Sequence, residues 1–333
     1  MDEAKFKAEL ERIAKETDQD LKALFGTMSA MGTENTQEGA IFGGTGLNIH
    51  APEDVPLSLK ETMSYAALSG GKRFRPFLVH ASSALFNAEQ SLVKQTALAV
   101  ECIHCYSLVH DDLPAMDNDE LRRGQPTLWK WRDEAAAILA GDSLQSLAFE
   151  ILSANPTPLN ALPKAKLVNA LAAAAGKAGM VGGQVRDLEA ETKSTESKNG
   201  SGEAAPANFA DVITIHSQKT GALISFSAES GAIIGGADEQ SRAALRLYGE
   251  KLGLAFQLRD DILDIEGSAE ELGKTPGKDE AAGKATFITA LGLEKAKTFL
   301  ENLHQGAIYA LEPFGEKADH LRAAATFVCK RNS

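Results

Sequence analysis

Apolar residues recur at helical spacing from the start of the chain, at Phe6, Leu10 and Ile13 and again at Leu21 and Leu24. Steps of three and four residues mark one face of a helix. No run alternates with the period of two that a half-buried strand requires, so the chain is expected to be all-α. The stretches EAAAILAGDSLQSLAFEIL (134–152) and LVNALAAAAGKAGM (167–180) lack strong polar faces. Helices of that kind are buried on most sides, as in a large bundle whose central helices are wrapped by others. Two segments break the pattern. Residues 26–50 hold six glycines and little periodicity, and residues 193–208, KSTESKNGSGEAAPAN, are rich in Ser, Gly, Lys and Glu. Both are expected to be flexible surface loops. Neither divides regions of different composition, so residues 1–333 are read as one domain with loop insertions.

The chemistry is carried by carboxylates. A first acidic motif runs Asp111-Asp112-Leu113-Pro114-Ala115-Met116-Asp117, followed by Asp119, Arg122 and Arg123, and a second runs Asp260-Asp261-Ile262-Leu263-Asp264. On a helix Asp260 and Asp264 share a face, with Asp261 beside them and Gln257 on the same stripe. The rest of that helix is apolar, so it should lie inside, and an interior stripe of carboxylates is costly unless cations neutralise it. Asp111 and Asp117 sit about 240° apart on an ideal helix and cannot converge on one. Pro114 biases Leu113 away from helical angles, so the helix should end there and the loop should fold Asp117 back towards Asp111. His104 lies seven residues before Asp111 on the same face. Hard carboxylate oxygens without imidazole or thiolate partners select Mg²⁺ or Ca²⁺, and Mg²⁺ completes its octahedron with substrate phosphates.

Composition sharpens this reading. The 333 residues are 24 % charged and 44 % hydrophobic, values of a globular chain. Thirty-four basic residues against forty-six acidic ones give a net charge of −12, which favours neither nucleic acid nor an anionic membrane surface. An anionic ligand must therefore be met by metal ions or by local cations. Such cations are present in Gly70-Gly71-Lys72-Arg73-Phe74-Arg75-Pro76, in Arg122-Arg123, in Lys219-Thr220-Gly221, and at Lys274 and Lys284. No apolar run approaches the eighteen or so residues of a membrane span, and the N-terminus is amphipathic and acidic, so a cytoplasmic protein is expected. Cys102, Cys105 and Cys329 are too few for a disulfide framework and are expected to pack. Asp117 and Asp119 do not open an EF-hand, because Arg122 stands where that loop needs Gly. Gly273-Lys274-Thr275 lacks the upstream glycine of a P-loop. Trp129 and Trp131 lack the basic surroundings of a nucleic-acid platform and are expected to be structural.

Taken together, GGKRFRP, ECIHCYSLVHDDLPAMDNDELRRGQPT, AGDSLQSLAFEIL, GGQVRDLEAE, HSQKTGALI and GLAFQLRDDILDIEG with LGKTPGKD, in that order between about residues 63 and 290, resemble the trans-isoprenyl diphosphate synthases. The bacterial, farnesyl-forming type is the most similar. The segments 26–50 and 193–208 depart from it by their length. The resemblance implies an all-α isoprenoid synthase (prenyltransferase) bundle around a central cavity, working as a homodimer. It implies head-to-tail condensation of isopentenyl diphosphate with dimethylallyl and geranyl diphosphate to give farnesyl diphosphate. A geranyl or geranylgeranyl product, a terpene cyclase and a non-catalytic partner subunit are the alternatives. By motif, Asp111, Asp112 and Asp117 on one wall and Asp260, Asp261 and Asp264 on the other would hold Mg²⁺, three ions with substrate bound. Arg122, Lys219, Lys274 and Lys284 would hold the allylic diphosphate, and Lys72, Arg75, His104 and Arg123 that of isopentenyl diphosphate. Thr220, Gln257 and the Lys219 carbonyl would face the allylic cation. Tyr106, five residues and about 7.5 Å along the helix from Asp111, with the small Ser107 after it, would close the channel for the growing chain.

Overall fold

A computed structural model describes residues 2–30, 55–155, 157, 160–199, 208–266 and 285–331. Its contacts divide the chain into two compact units. An N-terminal unit comprises Lys7–Asn169 with Ile233–Gly236, and a C-terminal unit comprises Ala170–Ala232 and Ala237–Ser333 with Met1–Phe6. The helices in chain order are α1 (Glu3–Ala30), α2 (Leu57–Leu68), α3 (Phe74–Ser83), α4 (Gln90–Asp111), α5 (Leu128–Trp131), α6 (Glu134–Ser153), α7 (Ala161–Ala175), α8 (Met180–Asn199), α9 (Phe209–His216), α10 (Ala222–Ile234), α11 (Glu239–Glu266), α12 (Phe287–Leu291), α13 (Leu293–Ala310) and α14 (Asp319–Lys330). Among the described residues the all-α expectation holds apart from one hairpin, in which Leu121–Arg122 pairs antiparallel with Gln125–Pro126. Its turn residues Arg123 and Gly124 have φ of 54° and 75°, the positive pair that tight hairpins favour. Two residues per strand are too few to show a period in sequence.

In the N-terminal unit α4 is the central helix. Fourteen of its residues are buried, among them the polar Gln95, Thr96 and Glu101, as its weak amphipathicity foretells. It packs against α3 and, most extensively, α6. The Asp133 carboxylate caps α6 by accepting from the Ala136 amide at 2.7 Å. Among the described residues α6 is the one helix long and apolar enough to cross a membrane, but Ala137, Ala140, Gly141, Leu144, Leu147, Ala148, Ile151 and Leu152 form a face buried within the protein.

The C-terminal unit is organised by α11, which packs on α13, on α14 and on a single π turn at Ser217–Gly221. Tyr248 of α11 is fully buried and donates its hydroxyl to the Leu321 carbonyl at 2.7 Å. Phe209, Phe287 and Phe299 form an aromatic cluster at the start of α12. Two segments expected as loops begin as helix. α1 continues to Ala30 and α8 to Asn199, because residues of ordinary helix propensity extend a helix that an adjoining stretch has nucleated. The remainders, residues 31–50 and 200–207, lie outside the described residues.

Candidate functional site

The first acidic motif begins where α4 ends. The last helical residue is Asp111, and Asp112 forms the C-cap. Beyond the cap the chain folds back as Pro114 demands: the Asp117 amide donates to the Asp111 carbonyl at 2.9 Å, and the Asn118 amide to that of Leu113 at 3.1 Å. Asn118 takes a φ of 52°, which asparagine tolerates. Asp111 and Asp117 are therefore brought together at half-buried positions. Asp112 is turned the other way. It is 3 % exposed, and Arg122 grips it through Nε at 2.8 Å and Nη2 at 2.6 Å. Burial pushes the Asp112 carboxyl up against the opposing pull of Arg122. Asp112, expected beside Asp111 among the metal-holding carboxylates, is thus paired with Arg122, since neighbours on a helix point about 100° apart.

GGKRFRP forms the turn into α3. Gly70 and Gly71 have φ of 87° and 132°, and a Cβ on Gly71 would stand 2.7 Å from Arg123 Nη1. Glycine therefore admits the Arg123 guanidinium, whose Nη1 donates to the Gly70 carbonyl. Arg73, which the sequence reading left without a role, is the structural centre of the turn. It adopts a φ of 47° and, at 3 % exposure, donates to Glu101 at 2.6 Å, Asp18 at 2.8 Å and the Ala67 carbonyl at 2.7 Å. A left-handed arginine with two buried acceptors and one half-buried one locks the turn onto α4, and Lys72 is left exposed beside it. Arg75 and His104 meet nearby. Burial, reinforced by Arg75, Arg123, Arg122 and Arg73, holds the His104 imidazole well below its usual range, so it is neutral. Burial also lowers Arg75, and its Nε is enclosed without a hydrogen-bond partner. A buried N–H with no acceptor, amid other cations, is costly until an anion accepts it.

Tyr106 is 5 % exposed, packed edge-on to His110 with ring centroids 5.7 Å apart. Ser107 folds its hydroxyl onto the His104 carbonyl at 2.9 Å. Cys102 and Cys105 are buried thiols, and Trp129 and Trp131 are structural: Trp129 donates to the Asp119 carbonyl, while Trp131 stacks on Tyr65.

In the C-terminal unit the second motif stays within α11, so Asp260 and Asp264 lie on one face as expected, both half-buried, with half-buried Gln257 one turn earlier. Asp261 does not join them. It is 7 % exposed and accepts the Phe287 amide at 2.7 Å, fastening α12 to α11. Lys219 lies in the π turn, a local irregularity that frequently marks function. Its Nζ pairs with Asp187 of GGQVRD at 2.5 Å, a partner the sequence reading missed. The i→i+5 register of that turn was not visible in the pattern of apolar residues. α8 and α11 approach the turn at Gly183 and Gly253, where a Cβ would stand 2.2 Å from the Lys219 nitrogen and 2.6 Å from the Gly221 Cα. Thr220 is half-buried in the same turn. Lys274 and Lys284 lie outside the described residues.

Among the described residues no group of three or more His, Cys, Asp or Glu side chains forms a ready-made metal cage. Pairs of hard carboxylates nonetheless suit Mg²⁺, which takes one or two of them and fills its octahedron with water and phosphate. Among the described residues each unit thus carries an oxygen-donor pair and cationic side chains, the equipment for polyphosphate chemistry.

The comparisons with known proteins agree. A model of the polyprenyl synthetase family matches residues 56–312. The chain is 45 % identical over 278 residues to the farnesyl diphosphate synthase of Escherichia coli K12, covering 82 % of this chain and 89 % of that one. An FPP/GFPP synthase from Zymomonas mobilis superposes with a TM-score of 0.78 at 40 % identity, over 98 % of this chain and all of the other. The geranyltransferase of Helicobacter pylori, solved with magnesium and isoprenyl diphosphate, gives a TM-score of 0.68 at 30 % identity over 95 % and 96 % of the two chains. The chain belongs to the polyprenyl synthetase family. It is a transferase that elongates prenyl chains.

Proposed function

We propose that this protein condenses isopentenyl diphosphate head-to-tail with dimethylallyl and then geranyl diphosphate and releases farnesyl diphosphate. The observation that carries the reading is the enclosed, acceptor-less Nε of Arg75 beside the neutral His104. A diphosphate entering there accepts that N–H and is met by Lys72 and Arg123, with charge-assisted bonds about twice as strong as neutral ones. A terpene cyclase, which handles a single diphosphate, has no use for an anion site apart from the carboxylates.

Asp111 and Asp117 in the N-terminal unit and Asp260 and Asp264 in the C-terminal unit would hold Mg²⁺, three ions once substrate is bound. Bound there, Mg²⁺ supplies a Lewis acid that stabilises charge on the departing diphosphate. Lys219 and Arg122, with Lys274 and Lys284, grip the allylic diphosphate, and Asp187 and Asp112 pre-orient the first two cations. Thr220, Gln257 and the Lys219 carbonyl aim their dipoles at the allylic cation. The released diphosphate takes the final proton, so no side-chain base is required. Tyr106, buried on α4, closes the channel after three isoprene units. The two units work as one catalytic domain, a reading supported by a single family match that runs through both. Exposed Ile138 and Leu139 on α6 support a homodimer, and the net charge of −12 with three free thiols fits the cytoplasm.

Product analysis tests this. With Mg²⁺, isopentenyl diphosphate and either allylic primer, the protein should stop at fifteen carbons, and chelator should abolish turnover. Tyr106→Ala should extend the products to twenty carbons or more. An unchanged limit in that variant would remove Tyr106 as the stop, and a wild-type product beyond fifteen carbons would replace the farnesyl assignment with a longer one.

A further inference from the structure

The chain leaving α14 returns to the second acidic motif. Arg331 donates through Nη2 to Asp260 Oδ1 at 2.5 Å and to the Phe256 carbonyl at 3.0 Å, and its guanidinium lies 3.9 Å from the centre of the Phe256 ring. The Arg331 carbonyl in turn accepts from Arg259 Nε at 2.8 Å. Three residues of α11, spaced within a single turn, therefore hold one arginine by an ion pair, a hydrogen bond, a cation–π contact and a backbone contact. The Arg331 side chain is 8 % exposed, whereas that of Asp260 is 45 % exposed. This is not a loose surface pair, which would contribute little. A guanidinium carries its charge at every accessible pH and desolvates more readily than an ammonium, so it neutralises Asp260 permanently while it remains seated. A divalent cation approaching Asp260 competes with this guanidinium for the same carboxylate.

We propose that Arg331 is a built-in counter-ion of the second acidic motif, which holds Asp260 charged and oriented before metal arrives and gives up Oδ1 when metal binds. The inference rests on Asp260 being a metal ligand, as in the function proposed above. Two consequences follow from the geometry. The motif binds a divalent cation more weakly than its carboxylates alone would, because the arriving ion must displace a seated one. The displaced guanidinium, kept close by Phe256 and Arg259, then adds a positive charge where a diphosphate would lie. Metal is thereby favoured together with diphosphate over metal alone.

Manganese titration followed by electron paramagnetic resonance, on the full chain without substrate, tests the proposal directly. Arg331→Gln keeps a polar side chain and removes the charge. It should bind Mn²⁺ about tenfold more tightly than wild type, and Arg331→Lys should stay near wild type. Circular dichroism establishes that each variant is folded. The gain should vanish when Arg331→Gln is combined with Asp260→Asn, since the cycle isolates the pair. If Asp260→Asn weakens Mn²⁺ binding but Arg331→Gln leaves it unchanged, the counter-ion role is overturned and the metal ligand stands. If Asp260→Asn binds Mn²⁺ like wild type, the metal role of Asp260 itself falls. A gain that persists in the combined variant would also overturn the proposal, because Arg331 would then act through some other group.

Discussion

In the N-terminal unit Asp111 and Asp112 finish a helix and a proline loop brings in Asp117, whereas in the C-terminal unit Asp260, Asp261 and Asp264 all lie within an unbroken helix. The backbones differ, yet each Asp-Asp pair divides in the same way. The first carboxylate of each pair is half-buried, and the second is turned inward, to Arg122 in one unit and to the Phe287 amide in the other. Adjacent helical positions point about 100° apart, so the two consecutive aspartates of each motif take different partners. Doubling the aspartate therefore gives one presented carboxylate and one fastening that fixes it. The fastenings differ in kind. Asp112 is tied to another charge, which is itself a candidate substrate contact, while Asp261 is tied to a backbone amide at a helix start.

The largest test of that division is turnover. Asp111→Ala and Asp260→Ala should each lose several kcal/mol of transition-state stabilisation, on the order of a thousandfold in rate, with an unchanged helical signal by circular dichroism. Turnover near wild type in either folded variant would break the parallel between the motifs. The second aspartates should respond in stability instead. Asp112→Ala strands Arg122 and Asp261→Ala strands the Phe287 amide, each costing about 1–3 kcal/mol in urea-induced unfolding. The first should also raise the KM for the allylic substrate, because Arg122 loses its guide, and the second should not. A stability loss without that contrast would show that the two fastenings are equivalent after all.

A further contrast separates the cationic groups of the two units. Arg75→Ala or Lys72→Ala should raise the KM for isopentenyl diphosphate roughly ten- to a hundredfold, the equivalent of a charge-assisted contact worth about 1.5–3 kcal/mol, and leave that for the allylic partner nearly unchanged. Lys219→Ala should do the reverse. Steady-state kinetics with each substrate varied in turn would detect equal changes, which would contradict the separation. The smallest effect is expected at the glycine turn. Gly71→Ala forces a Cβ against the Arg123 guanidinium at a strained φ of 132°, and should raise the KM for isopentenyl diphosphate a few-fold, about 1 kcal/mol.

Much of this was written locally. The helical period, the end of α4 at Pro114, the return of Asp117 to Asp111 and the shared face of Asp260 and Asp264 all follow from spacing and backbone sterics over a few residues, and so could be read without a structure. The hairpin at Arg123-Gly124 and the helical ends of α1 and α8 were not, because two-residue strands carry no period and a helix, once nucleated, runs on through neutral residues. Local sequence also chose which residue types could bind metal or phosphate. It could not say which way each would turn. Arg73 and Arg75 look alike in GGKRFRP, yet one is spent on Glu101 and Asp18 while the other keeps an unaccepted N–H. Asp260 and Asp261 look alike in DDILD, yet Arg331, 71 residues further on, reaches one, and Phe287, 26 residues further on, takes the other. The sequence by itself determined the helices, the donor types and their register along each helix, because those depend on covalent geometry and nearest turns. Only the tertiary structure decided which partner each of two identical neighbours takes, because that depends on groups brought in from distant parts of the chain.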